Sequence, residues 1–553
     1  MRCLSMTVVV CLFANTFAQN TPLSFRYFSQ TPDNLAVRAI SQEKINQLDK
    51  TISPKKTNRF PVIARTIATD IDLIAQSESR MINGQLVSAG STQRIFFYHL
   101  KAAAAKGVIA YFDKFRLSEG SSLSIYSPDR KQVYRYLPRK NEQDFFTANI
   151  INGEEVIFEY IAGENAQNDR LHIHEVGYVF NPLTKPKSSS RDFDDSGSCE
   201  VNVNCVEGEN WQAEKRAVVR ILVKSGSDVG WCTGTLLNNT SRDCSPYLLT
   251  ADHCQIGGWG TYASDADFNQ WQFNFNYEAP SCSNPTSEGS LDAQILTGAT
   301  RIAYSNDNGG DSGSDFLLIK LKNRPDTIYN TYFAGWDATT DIPQYGVGIH
   351  HPAADIKKIS TYNDAATSSS YGGNIDDTHW SVNWVTTENG HGVTEGGSSG
   401  SALFNEYGLQ VGTLTGGSSS CSQQNGTDEY GKIAYHWQTN GTTANRQLKP
   451  WLDPENTGAL FQLGSNTCGT NTAIENIKAK AWNVAIMPNP TQGIFHIQCS
   501  EAVKQTLIYD INGRLLKTVD NATTINIQGF PKGIYIAKIT TARGTAQRKV
   551  VVE

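Results

Sequence analysis

Gly392-Val393-Thr394-Glu395-Gly396-Gly397-Ser398-Ser399-Gly400-Ser401-Ala402-Leu403-Phe404 is the stretch that decides the fold. Glycines on both sides of Ser399 let the backbone turn sharply and present a hydroxyl. They also let the amide N–H groups of Gly397 and Ser399 converge on one point, the geometry of an oxyanion hole. Alone, the stretch also admits a Gly/Ser-rich surface loop, the lesser reading, so partners elsewhere in the chain decide its meaning.

Two partners stand upstream. Leu248-Leu249-Thr250-Ala251-Asp252-His253-Cys254 is an apolar strand ending in a histidine beside a cysteine. A bridge to Cys232, in Gly230-Trp231-Cys232-Thr233-Gly234-Thr235-Leu236-Leu237, would pin two strands and fix the histidine backbone, as a general base requires. In Gly313-Ser314-Asp315-Phe316-Leu317-Leu318-Ile319-Lys320-Leu321 a carboxylate opens a strongly apolar strand. A partly buried Asp needs a hydrogen-bonded partner, and an imidazole N–H is a suitable one. The chain order His, Asp, Ser is that of chymotrypsin; subtilisin-like and α/β-hydrolase enzymes use other orders. A metal-dependent reading would need His350 and His351, but adjacent strand residues point to opposite faces and no His-Glu-x-x-His occurs. Neither a metal nor a cofactor is expected.

The surroundings suit an exported protein. Arg2, the apolar run Met6 to Phe13 and the small residues ending at Ala18 read as an export signal over 1–18, too short to span a membrane. Of 11 cysteines, Cys3 and Cys11 leave with it, and export makes the other nine candidates for disulfides. With 553 residues, 39% hydrophobic and 18% charged, the chain is a core-forming protein of about three segments. The net charge of −6 gives no support to nucleic-acid binding.

Residues 19–191 carry alternating runs such as Ser122 to Tyr126 and Glu155 to Tyr160, separated by turn signals, and read as a β-sandwich propeptide. His172 and His174 would share one strand face there, as surface histidines rather than a metal pair. Lys185-Pro186-Lys187-Ser188-Ser189-Ser190-Arg191 suits a cleavable linker, with cuts expected after Lys187 or Arg191. Residues 192–465 read as short strands forming paired β-barrels or a sandwich, with one helix near Thr443 to Leu452. After a linker over 466–480, residues 481–553 read as a small β-sandwich in which Asn512-Gly513 marks a hairpin.

The middle segment resembles the bacterial lysyl endopeptidases, a branch of the chymotrypsin fold. The resemblance runs from about Ser196 to Leu463 and includes Ser196-Gly197-Ser198-Cys199, Thr250 to Cys254, Ser314-Asp315-Phe316 and Ala334-Gly335-Trp336-Asp337. It continues with Ile349-His350-His351-Pro352, Gly392 to Ser401, Gly416-Gly417 and Asp428-Glu429-Tyr430-Gly431. It implies an all-β, chymotrypsin-like double barrel with His253 as base, Asp315 as its orienter and Ser399 as nucleophile. It also implies the bridges Cys199–Cys421, Cys205–Cys282 and Cys232–Cys254. If Cys499 goes with the C-terminal segment, the even count left over predicts a fourth bridge, Cys244–Cys468.

By the same resemblance Asp428 lines the pocket for the residue before the scissile bond and pairs with a lysine ammonium. Tyr371 and Thr415 stand where the family carries a Trp and a His, so that aromatic–imidazole stack is expected to be absent or altered. Asp428, Tyr371, Thr415 and Gly416 are thus the candidate substrate-binding residues. Ser398 precedes the nucleophile where trypsin-like zymogens have an Asp, so activation is expected by propeptide removal rather than N-terminal insertion.

The last segment resembles type IX secretion sorting domains in Pro488-Asn489-Pro490, Tyr509 to Arg514, Gly533-Ile534-Tyr535 and Arg548-Lys549-Val550-Val551-Val552. The expected partners are protein and peptide substrates and an outer-membrane secretion machinery, with the protein monomeric and secreted or attached to a gram-negative cell surface. The competing reading is a surface adhesin on a protease fold.

Overall fold

The computed structural model describes residues 22–26, 35–48, 59–80, 95–139, 144–180, 193, 195–286, 288, 294–373, 375–469, 485–499, 502–511, 514–541 and 544–553. The expected export signal, the Lys185–Arg191 linker and the Asn512-Gly513 turn lie outside these residues, as does most of the second linker.

Two sheets make the N-terminal domain. Strands β1 (Val62–Asp72), β2 (Ile95–Lys101), β3 (Gly107–Arg116), β4 (Ser122–Tyr126), β5 (Glu155–Ile161) and β6 (Arg170–Val179) pair antiparallel in the orders β2-β5-β4 and β1-β6-β3. Ile125, Val156 and Phe158 of one sheet pack against Phe112, Leu171 and Val176 of the other, the apolar alternation that the strand pleat requires. His172 lies between Asp113 and Asp70, at 2.5 and 2.8 Å, whereas His174 bonds the Tyr111 carbonyl at 3.0 Å. A register shift between Ile173 and Glu175 accompanies their different surroundings.

The first barrel contains β7 (Val218–Ser225), β8 (Asp228–Leu237), β9 (Tyr247–Thr250), β10 (Gln272–Phe275), β11 (Gln294–Thr297), β12 (Ala299–Tyr304) and β13 (Leu317–Leu321). They pair antiparallel in the order β11-β10-β7-β8-β9-β13-β12 around Val219, Ile221, Leu248, Phe273 and Ile319. Every residue of β7 and β8 is buried, because these strands are covered on both faces. The N-terminal sheet is not a separate layer: β1 adds to the edge of β8, so one sheet runs through both domains.

The second barrel contains β14 (Gly346–His350), β15 (Lys358–Tyr362), β16 (His379–Asn383), β17 (Ala402–Asn405), β18 (Leu409–Gly417) and β19 (Thr427–Lys432). Their antiparallel order is β15-β14-β17-β18-β19-β16. A short helix, α1 (Ile433–Gln438), follows. The helix expected over Thr443 to Leu452 is instead two single turns, Ala444–Arg446 and Lys449–Leu452, with Gln447 extended between them. Pro450 explains the break, since it can begin a helix but cannot donate within one.

The C-terminal sandwich comprises a sheet of β21 (Val503–Asp510), β22 (Leu515–Asp520), β23 (Gly533–Thr541) and β24 (Gly544–Val552), preceded by β20 (Ile494–Gln498) in a smaller sheet. Phe495, Ile508 and Ile539 form its core.

Disulfides join Cys199 to Cys421, Cys205 to Cys282, Cys232 to Cys254 and Cys244 to Cys468. Cys499 takes part in none.

Candidate active site

The site lies where the two barrels meet. His253 sits in the turn Asp252–Gln255 directly after β9, and the Cys232–Cys254 disulfide ties that turn to β8. Its ring Nδ1 is 2.7 Å from Asp315 Oδ2, and its backbone N–H donates to Asp315 Oδ1 at 2.9 Å. Both side chains are buried, so the pair is fixed in orientation and shielded from water. Asp315 adopts a left-handed φ of 58°, an unfavourable backbone for a non-glycine residue. Asp307 holds it there: one carboxylate oxygen accepts the Asp315 N–H at 2.8 Å and the other that of Gly310 at 2.9 Å.

Asp252, Asp307 and Asp315 bring carboxylate oxygens within 4.8 Å of one another. Each oxygen already accepts a hydrogen bond, from Gln255 and Tyr262, from Asp315 and Gly310, or from His253. Burial, then the neighbouring carboxylates, push Asp252 well above the usual carboxylate range, and burial with the Asp315 charge raises Asp307. The other grouping with metal-ligand spacing, Cys232, His253 and Cys254, has both sulfurs in a disulfide.

Ser399, on the turn before β17, comes to the disulfide beside His253, its carbonyl 3.8 Å from Cys254 Sγ. Its carbonyl accepts the N–H of Thr233 on β8 at 2.8 Å, and it stays partly exposed. The two amides beside it are oriented by their own peptide planes. Gly396 O accepts from Ala353 N at 2.7 Å, and Ser398 O accepts from Ser401 N at 3.0 Å. In a trans peptide N–H and C=O point opposite ways, so the N–H groups of Gly397 and Ser399 face away from those contacts. Neither has a hydrogen-bond partner among the described residues. Gly397 has a φ of 100°, and a side chain there would meet His351 O and Ala354 N, both at 2.9 Å.

His350 supports this turn. Its Nδ1 is 2.8 Å from Ser398 Oγ and its Nε2 3.0 Å from Ser360 Oγ. Burial, then the Lys358 charge, bring its pKa down to about 3. His351 is buried separately, with Nδ1 2.9 Å from Asp355 O. The two adjacent histidines therefore bond different groups.

Asp428 lies on β19, fully buried, opposite Val382 of β16. Its Oδ2 accepts from Trp384 Nε1 at 2.6 Å, Thr394 Oγ1 at 2.8 Å and Ser419 Oγ at 2.6 Å. Its Oδ1 accepts only a long bond, 3.3 Å, from Ser419 N, and a side chain at Gly417 would collide with it. Burial raises the Asp428 pKa against the lowering effect of those donors.

The aromatic–imidazole pair, expected to be absent or altered, is present in altered form. Tyr371 packs on the ring of His379, with centroids 5.8 Å apart, and His379 Nε2 is 2.9 Å from Thr415 Oγ1. The imidazole comes from β16 rather than from position 415. Burial first, with Lys432 adding and Asp315 opposing, lowers its pKa to about 4. Gly416 leaves the room for Tyr371, whose Oη would lie 3.1 Å from a Cβ there. Nothing in the local sequence marks His379, Trp384 or Ser419 as members of the site, because strand pairing and loop return bring them in.

The double barrel is a chymotrypsin-like fold, and the buried His–Asp pair and glycine-flanked serine are its candidate active site. Residues 193–431 match the family model described as lysyl endopeptidase, C-terminal domain, and residues 485–553 that of the secretion system C-terminal sorting domain. The lysyl endopeptidase of Pseudomonas aeruginosa is 33% identical over 286 residues, covering 49% of this chain and 57% of its own. The secreted RxLR effector protein 73 of Plasmopara viticola is 23% identical over 237 residues, covering 41% of this chain and 55% of its own. The chain thus spans a little over half the length of these curated relatives. Among solved structures, a Glu endopeptidase shows 16% identity over 46% of this chain and 95% of its own, with a TM-score of 0.27. A thermostable serine protease, AL20, shows 14% over 40% and 92%, with a TM-score of 0.28. With its sorting domain, the chain is a secreted or surface-attached protein.

Proposed function

We propose that the protein is a secreted serine endopeptidase that cleaves proteins after basic residues, with lysine preferred, through an acyl-enzyme. The observation that carries this reading is the buried His253–Asp315 pair, with the Ser399 carbonyl 3.8 Å from Sγ of the next residue, Cys254. Ser399 Oγ attacks the scissile carbonyl as His253 Nε2 takes its proton, while Asp315 holds Nδ1–H and stabilises the imidazolium. Negative charge developing on the carbonyl oxygen is met by the N–H groups of Gly397 and Ser399. His253 then protonates the departing amine, and water, activated by the same ring, releases the acyl group.

Asp428 selects the residue before the cut. Three donors converge on Oδ2, which leaves Oδ1 as its open acceptor toward the glycine-walled side. One open oxygen suits the point charge of an ammonium better than the two-pronged guanidinium fork, which favours Lys over Arg. An apolar side chain would leave the carboxylate unpaired.

In this reading residues 1–18 direct export, 19–191 are a propeptide removed on activation and 481–553 engage the secretion machinery; the mature enzyme is a monomer. Digestion of a peptide library by processed protein tests the specificity: cuts should follow Lys, with Arg second. Cuts only after apolar or acidic residues would defeat the role given to Asp428.

A further inference from the structure

The strand that joins the two domains runs along the site. Val62, Ala64 and Arg65 of β1 pair with Gly230, Val229 and Asp228 of β8, and Thr66 N donates to Ser227 O at 2.9 Å. Arg65 Nε bonds Asp228 Oδ1 at 2.7 Å, with both side chains buried. Ahead of the strand, Phe60 and Val62 are buried in one cluster with Cys232 and Cys254. Phe60 lies on Gly230, where a side chain would collide with its ring. Pro61 Cγ would lie 3.3 Å from a Cβ at Gly396, the residue before Gly397, and Arg59 Nη1 donates to Gly258 O at 2.7 Å.

These contacts have a direction. A substrate bound for attack by Ser399 sends the side chain before the scissile bond toward Asp428. The departing amine sits by His253, so the residues after the bond must leave past Cys254 and Gly396. Arg59–Val62 occupies that exit. Arg59 bonds Gly258 and Arg65 bonds Asp228, and Ser399 remains partly exposed with the segment in place.

Resting on the serine-endopeptidase reading above, we propose that Arg59–Arg65 is an inhibitory strand that closes only the leaving-group side of the site. The uncut chain is then half-open. Small lysyl esters, whose leaving group is one alcohol, acylate Ser399, while peptides that continue beyond the scissile bond are excluded until the strand is gone. Strand addition to an exposed edge supplies the attachment, and the Arg65–Asp228 pair sets its register.

The test uses the full chain with Lys185, Lys187 and Arg191 replaced by Gln, its intactness checked by mass, beside the processed wild-type enzyme. Two substrates are compared: tosyl-lysine methyl ester and a ten-residue peptide with one central lysine. In the uncut chain kcat/KM for the ester should stay within about tenfold of the processed enzyme, while that for the peptide falls at least about 100-fold, as a strand tethered at high effective concentration requires. Adding Arg65→Ala to the uncut chain should recover peptide cleavage about tenfold or more and leave the ester rate unchanged. Parallel loss of both activities in the uncut chain, or retention of both, would overturn the proposal. Processed enzyme inactive toward both substrates would instead overturn the reading of Ser399 on which it rests.

Discussion

His350 Nδ1 lies 2.8 Å from the hydroxyl of Ser398, the residue immediately before Ser399. The ring is fully buried, and Ser360 takes its other nitrogen. Ser398 Oγ also accepts from Glu395 N at 3.2 Å, so one imidazole braces both ends of the tight turn that carries Ser399. In the proposed reaction, where Ser399 is the nucleophile, His350 is a positioning residue. Replacing it by Leu should lower kcat by about 10- to 100-fold with KM little changed, because a small displacement of a reacting atom is costly while the Asp428 pocket is untouched. Steady-state kinetics on a lysyl peptide checks this; His350→Gln, which can still accept from Ser398, should recover part of the loss.

Two of the buried histidines, His350 and His379, contribute to the acid stability beside His351 and His436, which burial also holds well below the ordinary value. His350 has a pKa of about 3 and His379 of about 4, both below the ordinary value of 6.5, with burial as the leading cause. The unfolded chain takes protons at these residues near pH 6.5 and the folded chain does not. Stability is therefore fully present above about 6.5 and lost as pH falls toward about 4 for His379 and about 3 for His350. A series of Tm measurements from pH 8 to 4 on the Ser399→Ala chain should fall on the acid side, and His379→Gln should flatten that fall.

Asp428→Asn removes the charge while keeping the shape of the pocket. For a lysyl peptide kcat/KM should drop by roughly 10² to 10³, the effect of truncating one member of a desolvated charge pair. The rate of Ser399 labelling by a small uncharged phosphonate should not change. Equal loss in both measurements would mean that the substitution disturbed the fold rather than the choice of substrate.

The Cys244–Cys468 disulfide closes 224 residues, from the first barrel to the end of the second. Cys468→Ser should cost about 2–4 kcal/mol. Reversible urea unfolding of the Ser399→Ala chain, with and without this change, measures it.

Much of the site was legible in the sequence because it sits at strand ends. His253 follows the apolar run Tyr247–Thr250, Asp315 precedes Leu317–Leu321, and Ser399 lies among glycines before Ala402–Asn405. Local pattern marks such positions directly. His379 could not be found this way: it reaches Tyr371 and Thr415 only because β16 returns beside β19, a pairing with no local signal. The same holds for the joint between domains. The alternation of Val62–Asp72 marks a strand, but that its edge partner is Asp228–Gly230, more than 160 residues away, is decided by which edge is left open. The helix over Thr443 to Leu452 failed for a local reason, since Pro450 permits a new turn but not a continuing one.

In the proposed reaction Ser399 is a nucleophile activated by His253. The most direct test is to treat processed protein with a fluorophosphonate and locate the adduct by peptide mass mapping. A single adduct on Ser399 is expected, with peptide cleavage lost in step, and labelling slowed by at least about 10³-fold in His253→Ala. An adduct on another residue, or undiminished cleavage by protein labelled at Ser399, would contradict it.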